Sequence, residues 1–304
     1  MKIIIASDSF KGSLSSLEVA QHIQKGALKV FKDATFDIIE MADGGEGTVS
    51  AMISSIGGEM KTIDVLDPLH RHIKAEFGIL KDGSAIIEMA AASGLPLVSH
   101  QKDIYKSSTY GTGQLIKAAL DYGCQNIYIG IGGSATNDGG IGMAHALGVK
   151  FYDQNHHELD CLAYSLPMIR SIDISQLDQR IHNTHITVMC DVDNPLCGHN
   201  GASAIYGPQK GATPSQVEYL DQGLANLAKV CADMQLKDAK DIAGAGAAGG
   251  LGFGLMTFLN AQLSSGIDVV LQANHFESKL KDATLIITGE GRIDSQSIRG
   301  KVPT

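Results

Sequence analysis

The chain has 304 residues, a formal net charge of −9 and a pI near 5.6, with 44% hydrophobic and 19% charged residues. That length accommodates two domains or one large α/β domain. The acidic balance argues against a nucleic-acid footprint or a polybasic membrane surface, and no apolar run approaches the roughly 18 residues of a membrane span. Five cysteines without a CxxC pair read as reduced thiols of a cytoplasmic protein, and Met1–Ala6 is too short in apolar length for a signal peptide.

The opening reads as strand, loop, helix. Lys2–Ala6 is β-branched-rich, and Ser15-x-x-Glu18 is a capping box that starts a helix through about Val30. Phe36–Glu40 is a second strand, after which Asp43-x-x-Glu46 can cap a helix through about Ile56. This βαβα order favours a parallel sheet covered by helices, and its loops at 7–13 and 43–48 fall at the carboxyl ends of strands, where such folds bind ligands. Ile73, Ala75, Phe77 and Ile79 then alternate, followed by Asp82-Gly83 and the apolar stretch Ala85–Met89. That is a β-hairpin signal and suggests a second unit with antiparallel strands.

From Gly111 the pattern returns to a helix (Gln114–Tyr122), a strand (Asn126–Ile131), a glycine loop and a helix (about Gly139–Leu147). Residues 161–182 show no clean period. His185–Cys190 reads as a buried strand ending on Asp191, and Thr213-Pro214-x-Gln216 opens a helix with Leu220, Leu224, Leu227 and Cys231 on one face. A helix from about Leu251 to Leu263 and a strand at Thr284–Thr288 close the series.

Many of the 35 glycines fall in four short loops that also carry Asp, Glu or Asn or lie beside them: 41–48, 130–140, 244–252 and 288–294. Clustered glycine allows close backbone approach, and backbone N–H groups in such loops bind anions, phosphate above all. Carboxylates in the same places would repel phosphate unless a cation lies between, so phosphate, a divalent metal and a small substrate form the working hypothesis. No GxxxxGK[ST] pattern occurs. Gly244-x-Gly246-x-x-Gly249 matches a dinucleotide fingerprint but follows a polar stretch instead of a strand, whereas Gly130-x-Gly132-x-x-Ala135 does follow one. A nicotinamide-dependent oxidoreductase built on Gly130–Ala135 is therefore the alternative from another class. Asp191-x-Asp193 lacks the glycine an EF-hand requires, and the histidines show no zinc spacing. Asp43 with Glu46 can also be read as a helix cap, and Asp191 as a turn residue before Asn194-Pro195.

Asp8-Ser-Phe-Lys-Gly-Ser-Leu14, Met41-Ala-Asp-Gly-Gly-Glu-Gly-Thr48, Glu88-Met-Ala-Ala-Ala-Ser-Gly-Leu95 and Gly132-Gly-Ser-Ala-Thr-Asn-Asp-Gly-Gly140 resemble the bacterial class I glycerate kinases. So do Cys190–Leu196, Gly207-Pro-Gln-Lys-Gly-Ala212, Gly244–Gly252 and Thr288-Gly-Glu-Gly-Arg-Ile-Asp294, in the family's order and over almost the whole chain. The resemblance implies phosphorylation of D-glycerate by ATP with Mg²⁺, to 2-phosphoglycerate by the family's usual assignment or to 3-phosphoglycerate. It implies two α/β domains around a cleft, closing on substrate. One is flavodoxin-like with a parallel sheet (1–66 plus 268–304), and the other is inserted at 67–267 with antiparallel strands. Family members continue past the 300–303 segment, so the last elements of the first domain are expected beyond Thr304.

Phosphoryl transfer needs positioning, charge neutralisation and a group to take the hydroxyl proton. With that chemistry in view, Asp43 and Asp138 are the expected metal ligands. Gly132, Gly133, Ser134, Gly244, Gly246 and Gly249 are expected to cradle the nucleotide phosphates, with Lys210 beside them. Lys11 and Arg292 would clamp the transferring phosphoryl or the carboxylate, Asp8, Ser9 and Glu290 would meet the substrate, and Asp191 would be the general base. A monomer or homodimer working on small molecules is expected.

Overall fold

The computed structural model describes residues 1–10, 13–42 and 44–291; the candidates Lys11, Asp43 and Arg292 lie outside them. In chain order the elements are β1 (Lys2–Ser7), α1 (Ser16–Ala27), β2 (Thr35–Ile38), α2 (Thr48–Ile56), β3 (Gly58–Leu66), β4 (His72–Leu80), β5 (Ala85–Glu88) and α3 (Ala90–Ser93). Then come α4 (Tyr110–Asp121), β6 (Asn126–Gly130), α5 (Ile141–Ala146), β7 (Lys150–Tyr152), β8 (Ser171–Asp173), β9 (His185–Met189), α6 (Ala202–Tyr206) and α7 (Pro214–Asp233). The last are α8 (Ala247–Phe258), β10 (Gln262–Ser264), α9 (Gly266–Ala273), α10 (Phe276–Leu280) and β11 (Leu285–Gly289).

Two sheets organise the molecule. The smaller one joins both ends of the chain in the order β11-β1-β2, all parallel, and the larger one runs β10-β9-β6-β5-β4-β3. In the larger sheet β10, β9, β6 and β5 are parallel, while β3 and β4 are antiparallel additions. The fold is thus α/β, with one parallel sheet and one mixed sheet. β3 lies on the N-terminal side of the boundary expected at residue 66, yet it pairs with β4 along its whole length. Its charged side chains suit an edge strand, and they hide the apolar alternation that would announce it.

The pleat sorts β1 into two cores. Ile3 and Ile5 face Ala20 of α1. Ile4 and Ala6 point the other way and join Val49 and Met52 of α2, Ile86 of β5 and Val270 of α9. α2 and α9 therefore lie between the sheets, and the outer face of the large sheet is covered by α4, α5, α7 and α8. The apolar layer between the sheets is what joins β1 to β5 of the larger sheet.

Local signals set several boundaries. Ser15 and Glu18 cap α1 reciprocally, and Thr213 with Gln216 does the same for α7, with Pro214 in its first turn. Two expectations need correction. The N-cap of α2 is Gly47 in a left-handed conformation, not Glu46, and the carboxylate of Glu88 accepts the Val49 N–H at 2.8 Å; the part of that expectation that fell on Asp43 lies outside the described residues. The helix expected to reach Leu263 stops at Phe258, because residues 262–264 pair in parallel with β9. Residues 161–182, without period in the sequence, form two 3-10 turns around the short strand β8.

Candidate active site

A cleft of about 960 Å³ opens where parallel strands of both sheets end. Asp8 and Ser9 follow β1, Glu40–Ala42 follow β2, Ile131–Ser134 follow β6, and Cys190–Val192 follow β9. Loops at the carboxyl ends of such strands are the usual ligand sites of α/β folds, and the volume suits a small molecule.

The acidic wall carries Asp8, Glu40, Glu46 and Asp191. Asp8 Oδ1 accepts the Ser9 N–H at 2.6 Å, and Asp191 Oδ1 accepts the Gly266 N–H at 3.1 Å at the start of α9. Glu40 accepts the Ser54 hydroxyl. Glu88 stands behind Glu46. Burial pushes its carboxyl up from the usual range and the Glu46 charge adds to this, while N–H groups of Val49, Gly47 and Thr48 oppose it. The loop bearing Glu46 is gripped from two sides. A Cβ on Gly44, whose φ is +82°, would lie 2.6 Å from Met189 Cβ, and one on Gly130 would lie 2.2 Å from the Gly44 carbonyl oxygen.

The opposite wall is the 131–134 stretch that follows β6. Gly133 (φ +73°) and Ser134 line the cleft. The backbone carbonyl of Gly133 accepts from Leu95, and Ala135 donates to Ser93. The N–H groups of Gly133 and Ser134 donate to no backbone or side-chain acceptor among the described residues. Two adjacent uncommitted N–H groups on a glycine loop are what an anion requires.

Behind this wall the loop is locked by buried polar groups. Asp138 is fully buried. It accepts from Thr109 N–H (2.7 Å), the Thr109 hydroxyl (2.8 Å), Gly140 N–H (3.1 Å) and Gly142 N–H (3.2 Å). Burial raises its pKa against the pull of these donors. Lys210 is 2% exposed and donates to Ser134 Oγ at 2.7 Å and to the Thr136 carbonyl at 2.6 Å. Desolvation depresses it to about 7, with the Asp138 charge opposing.

Asp8, Ser9, Gly132, Gly133, Ser134 and Asp191 are thus brought to one cleft. Glu290 follows β11, which lies beside β1; just past β1 the Asp8 N–H donates to Gly289 O at 2.9 Å. Asp138 and Lys210 sit behind the wall, not in it, with Asp138 already engaged by four protein donors. Gly244, Gly246 and Gly249 are also interior. Added Cβ atoms there would lie 2.7 Å from Leu263 Cδ1, 2.2 Å from the Pro195 carbonyl and 2.0 Å from the Thr136 carbonyl, respectively. These glycines permit loop-on-loop packing, and the segment reaches the cleft through Ala247 and Ala248. The dinucleotide alternative loses its geometry: after Gly130–Ala135 the helix begins only at Ile141, and the space above Gly130 is filled by Gly44. Glu88, Tyr206 and Gln209 had no assigned role in the sequence reading. For Glu88 the available signal was an acid ending a buried strand.

The oxygen-rich donors of the cleft suit a hard cation such as Mg²⁺. Among the described residues no group of three or more His, Cys, Asp or Glu is placed to hold an ion. Mg²⁺ needs no such cage, since it binds through one or two carboxylates plus phosphate oxygens and water. Among the described residues no helix is long and apolar enough to cross a membrane.

The glycerate kinase family model matches residues 3–304. The chain is 53% identical to glycerate 2-kinase of Escherichia coli K12 and 50% identical to glycerate kinase of Bacillus subtilis 168, covering 100% of this chain and 80% of each relative. A solved crystal structure named for glycerate kinase 2 of Salmonella typhimurium LT2 superposes with a TM-score of 0.94 at 51% identity, covering 100% of this chain and 82% of that one. With strand-end carboxylates facing an anion-ready glycine loop, these likenesses agree with the geometry: the chain belongs to the glycerate kinase family and is a phosphotransferase enzyme.

Proposed function

We propose that this chain transfers the γ-phosphoryl group of ATP to the 2-hydroxyl of D-glycerate, with Mg²⁺. The observation that carries the reading is the pairing, across one cleft, of strand-end carboxylates with the uncommitted N–H groups of Gly133 and Ser134. The name of the Escherichia coli relative, glycerate 2-kinase, supports the 2-position.

In this reading Gly133 and Ser134 donate to phosphate oxygens, and Asp191 takes the proton of the attacking hydroxyl. Its carboxylate is oriented for that by the Gly266 N–H. Asp8 and Ser9 bind glycerate at the end of β1. Lys11 and Arg292, which follow β1 and β11 in the sequence, neutralise the transferring phosphoryl or the substrate carboxylate, and Glu290 directly follows β11. Asp43 is the assigned metal ligand, and Asp138 is reassigned from the metal to the support of its own loop. Bound Mg²⁺ supplies charge neutralisation and orientation of the phosphates. Closure of the cleft would exclude water that could otherwise receive the phosphoryl group.

The test is ADP release coupled to a spectrophotometric readout, with ATP, Mg²⁺ and D-glycerate, followed by ³¹P NMR of the product. Glycerate-dependent ADP with a 2-phosphoglycerate resonance is expected. A 3-phosphoglycerate resonance would overturn the regiochemistry alone, and folded protein without glycerate-dependent turnover would overturn the whole reading.

A further inference from the structure

The floor behind the anion loop is polar, buried and incompletely paired. Lys210 enters it from the 207–211 segment, and its ammonium reaches Ser134 Oγ at 2.7 Å and the Thr136 carbonyl at 2.6 Å. Thr136 Oγ1 and Asn137 Oδ1 are buried nearby with no hydrogen-bond partner among the described residues. Ser134 belongs to the cleft wall, whereas Lys210 does not. A long cationic side chain is thus held in the interior with its head one hydroxyl away from the cleft. Burying such a charge is expensive unless something compensates it. Within the protein the compensation is thin: a hydroxyl, a carbonyl and the Asp138 carboxylate, itself engaged by four other donors.

We infer that Lys210 is a positioning residue for the nucleotide: through Ser134 it pins the Gly133–Ser134 backbone toward the phosphate chain and supplies the buried positive charge that the phosphates complete. The inference rests on the kinase reading and adds a regulated partner to that site. Its consequence is proton linkage. Without nucleotide the ammonium is poorly compensated, and desolvation holds its pKa near 7. A polyanion arriving on the other side of Ser134 favours the charged form, so nucleotide binding above neutral pH takes up a proton. The groups that bear on Lys210 from its surroundings are few. Asp138 is the ionisable one on the loop, and Ser134 and Thr136 are neutral. Lys102 lies on the outer side, donating to the Gln209 carbonyl with its stem against Gly211.

The direct experiment is NMR of wild-type protein labelled at lysine Cε, titrated with and without saturating ADP. One lysine signal is expected to titrate near neutrality and to move up by about one unit or more when ADP binds. Absence of any lysine titrating below pH 9, or a neutral-range signal that ADP leaves in place, would overturn the inference. ADP binding that fails altogether would instead overturn the kinase reading beneath it. The second measurement is ADP affinity against pH for wild type and Lys210→Met. The ratio of the two dissociation constants cancels the nucleotide's own titration. For a one-unit rise the proton-linked advantage of wild type is expected to fall from about fivefold at pH 7 to about twofold at pH 8 and to near one at pH 9, and more steeply for a larger rise. A constant ratio would mark Lys210 as merely structural and refute the assignment. If Lys210→Met does not fold, the lysine titration of the wild type decides alone.

Discussion

Gly130→Ala tests whether the cleft depends on backbone-to-backbone contact between its two walls. Gly130 ends β6, and an added Cβ would sit 2.2 Å from the Gly44 carbonyl oxygen, 2.9 Å from its carbon and 3.1 Å from its Cα. The atoms met are all backbone, so no side chain can swing away. Gly44 cannot retreat freely either: its carbonyl accepts the Gly132 N–H at 3.4 Å, and space for its own Cβ is filled by Met189. Restoring ordinary contact at about 3.5 Å requires the 44–47 loop to move by roughly 1 Å. Overpacking of this kind costs about 1–3 kcal/mol, which lowers the melting temperature by a few degrees, at roughly 2–4 °C per kcal/mol for chains of 150–250 residues. The loop carries Gly45, Glu46 and Gly47 into the cleft, so the larger effect is catalytic. A displacement near 1 Å can cost about 100-fold in turnover. The assay is glycerate-dependent ADP formation alongside thermal unfolding. A variant with unchanged kcat/KM and unchanged melting temperature would show that the walls do not touch as described, and the reasoning from Gly130 would fail.

Gly26 supplies the opposite case. It lies in α1 with nothing within 4 Å of where an added Cβ would sit, so Gly26→Ala should stabilise the fold by roughly 0.5–1 kcal/mol; a loss of stability in urea unfolding would contradict that. Glu88→Ala removes the acceptor that caps α2 from another strand and should cost about 1–2 kcal/mol, the range of a lost N-cap, with Glu88→Gln between the two; equal midpoints for Glu88→Ala and wild type would refute the cap. Lys210 fixes a sign in pH. Its native pKa of about 7 lies below the ordinary 10.5, so across that window the unfolded chain binds the extra proton and wild-type stability rises with pH. Relative to Lys210→Met the gain should be about 2 kcal/mol between pH 7.5 and 9, at ~1.4 kcal/mol per unit. A stability difference that stays flat over that range would show that Lys210 is charged throughout.

The sequence by itself determined the features that local physics controls. The caps at Ser15 and Thr213 need only their own third-following residues, and the alternation at 73–79 needs only the pleat. Both were read from the chain and both are in the fold. Acids placed just after strands were also readable as strand-end residues, because parallel strands of one sheet end at one edge; that Asp8 and Asp191, which follow strands of different sheets, share one cleft was decided by the packing of the two sheets. What only the tertiary structure decided is the use made of residues whose partners are far away in sequence. Asp138 looks like a ligand in its loop, but Thr109 and the start of α5 claim its oxygens. Gly244–Gly249 looks like a phosphate cradle, but Thr136 and Pro195 fill the space that its glycines leave. Gln262–Ser264 continues a helical pattern until β9 offers it a ladder. Lys210 is an ordinary lysine between glycine and glutamine until folding buries it beneath Ser134. A periodic pattern specifies which face is apolar, but whether a glycine or a carboxylate serves a ligand or a neighbouring loop depends on contacts that exist only once distant segments meet.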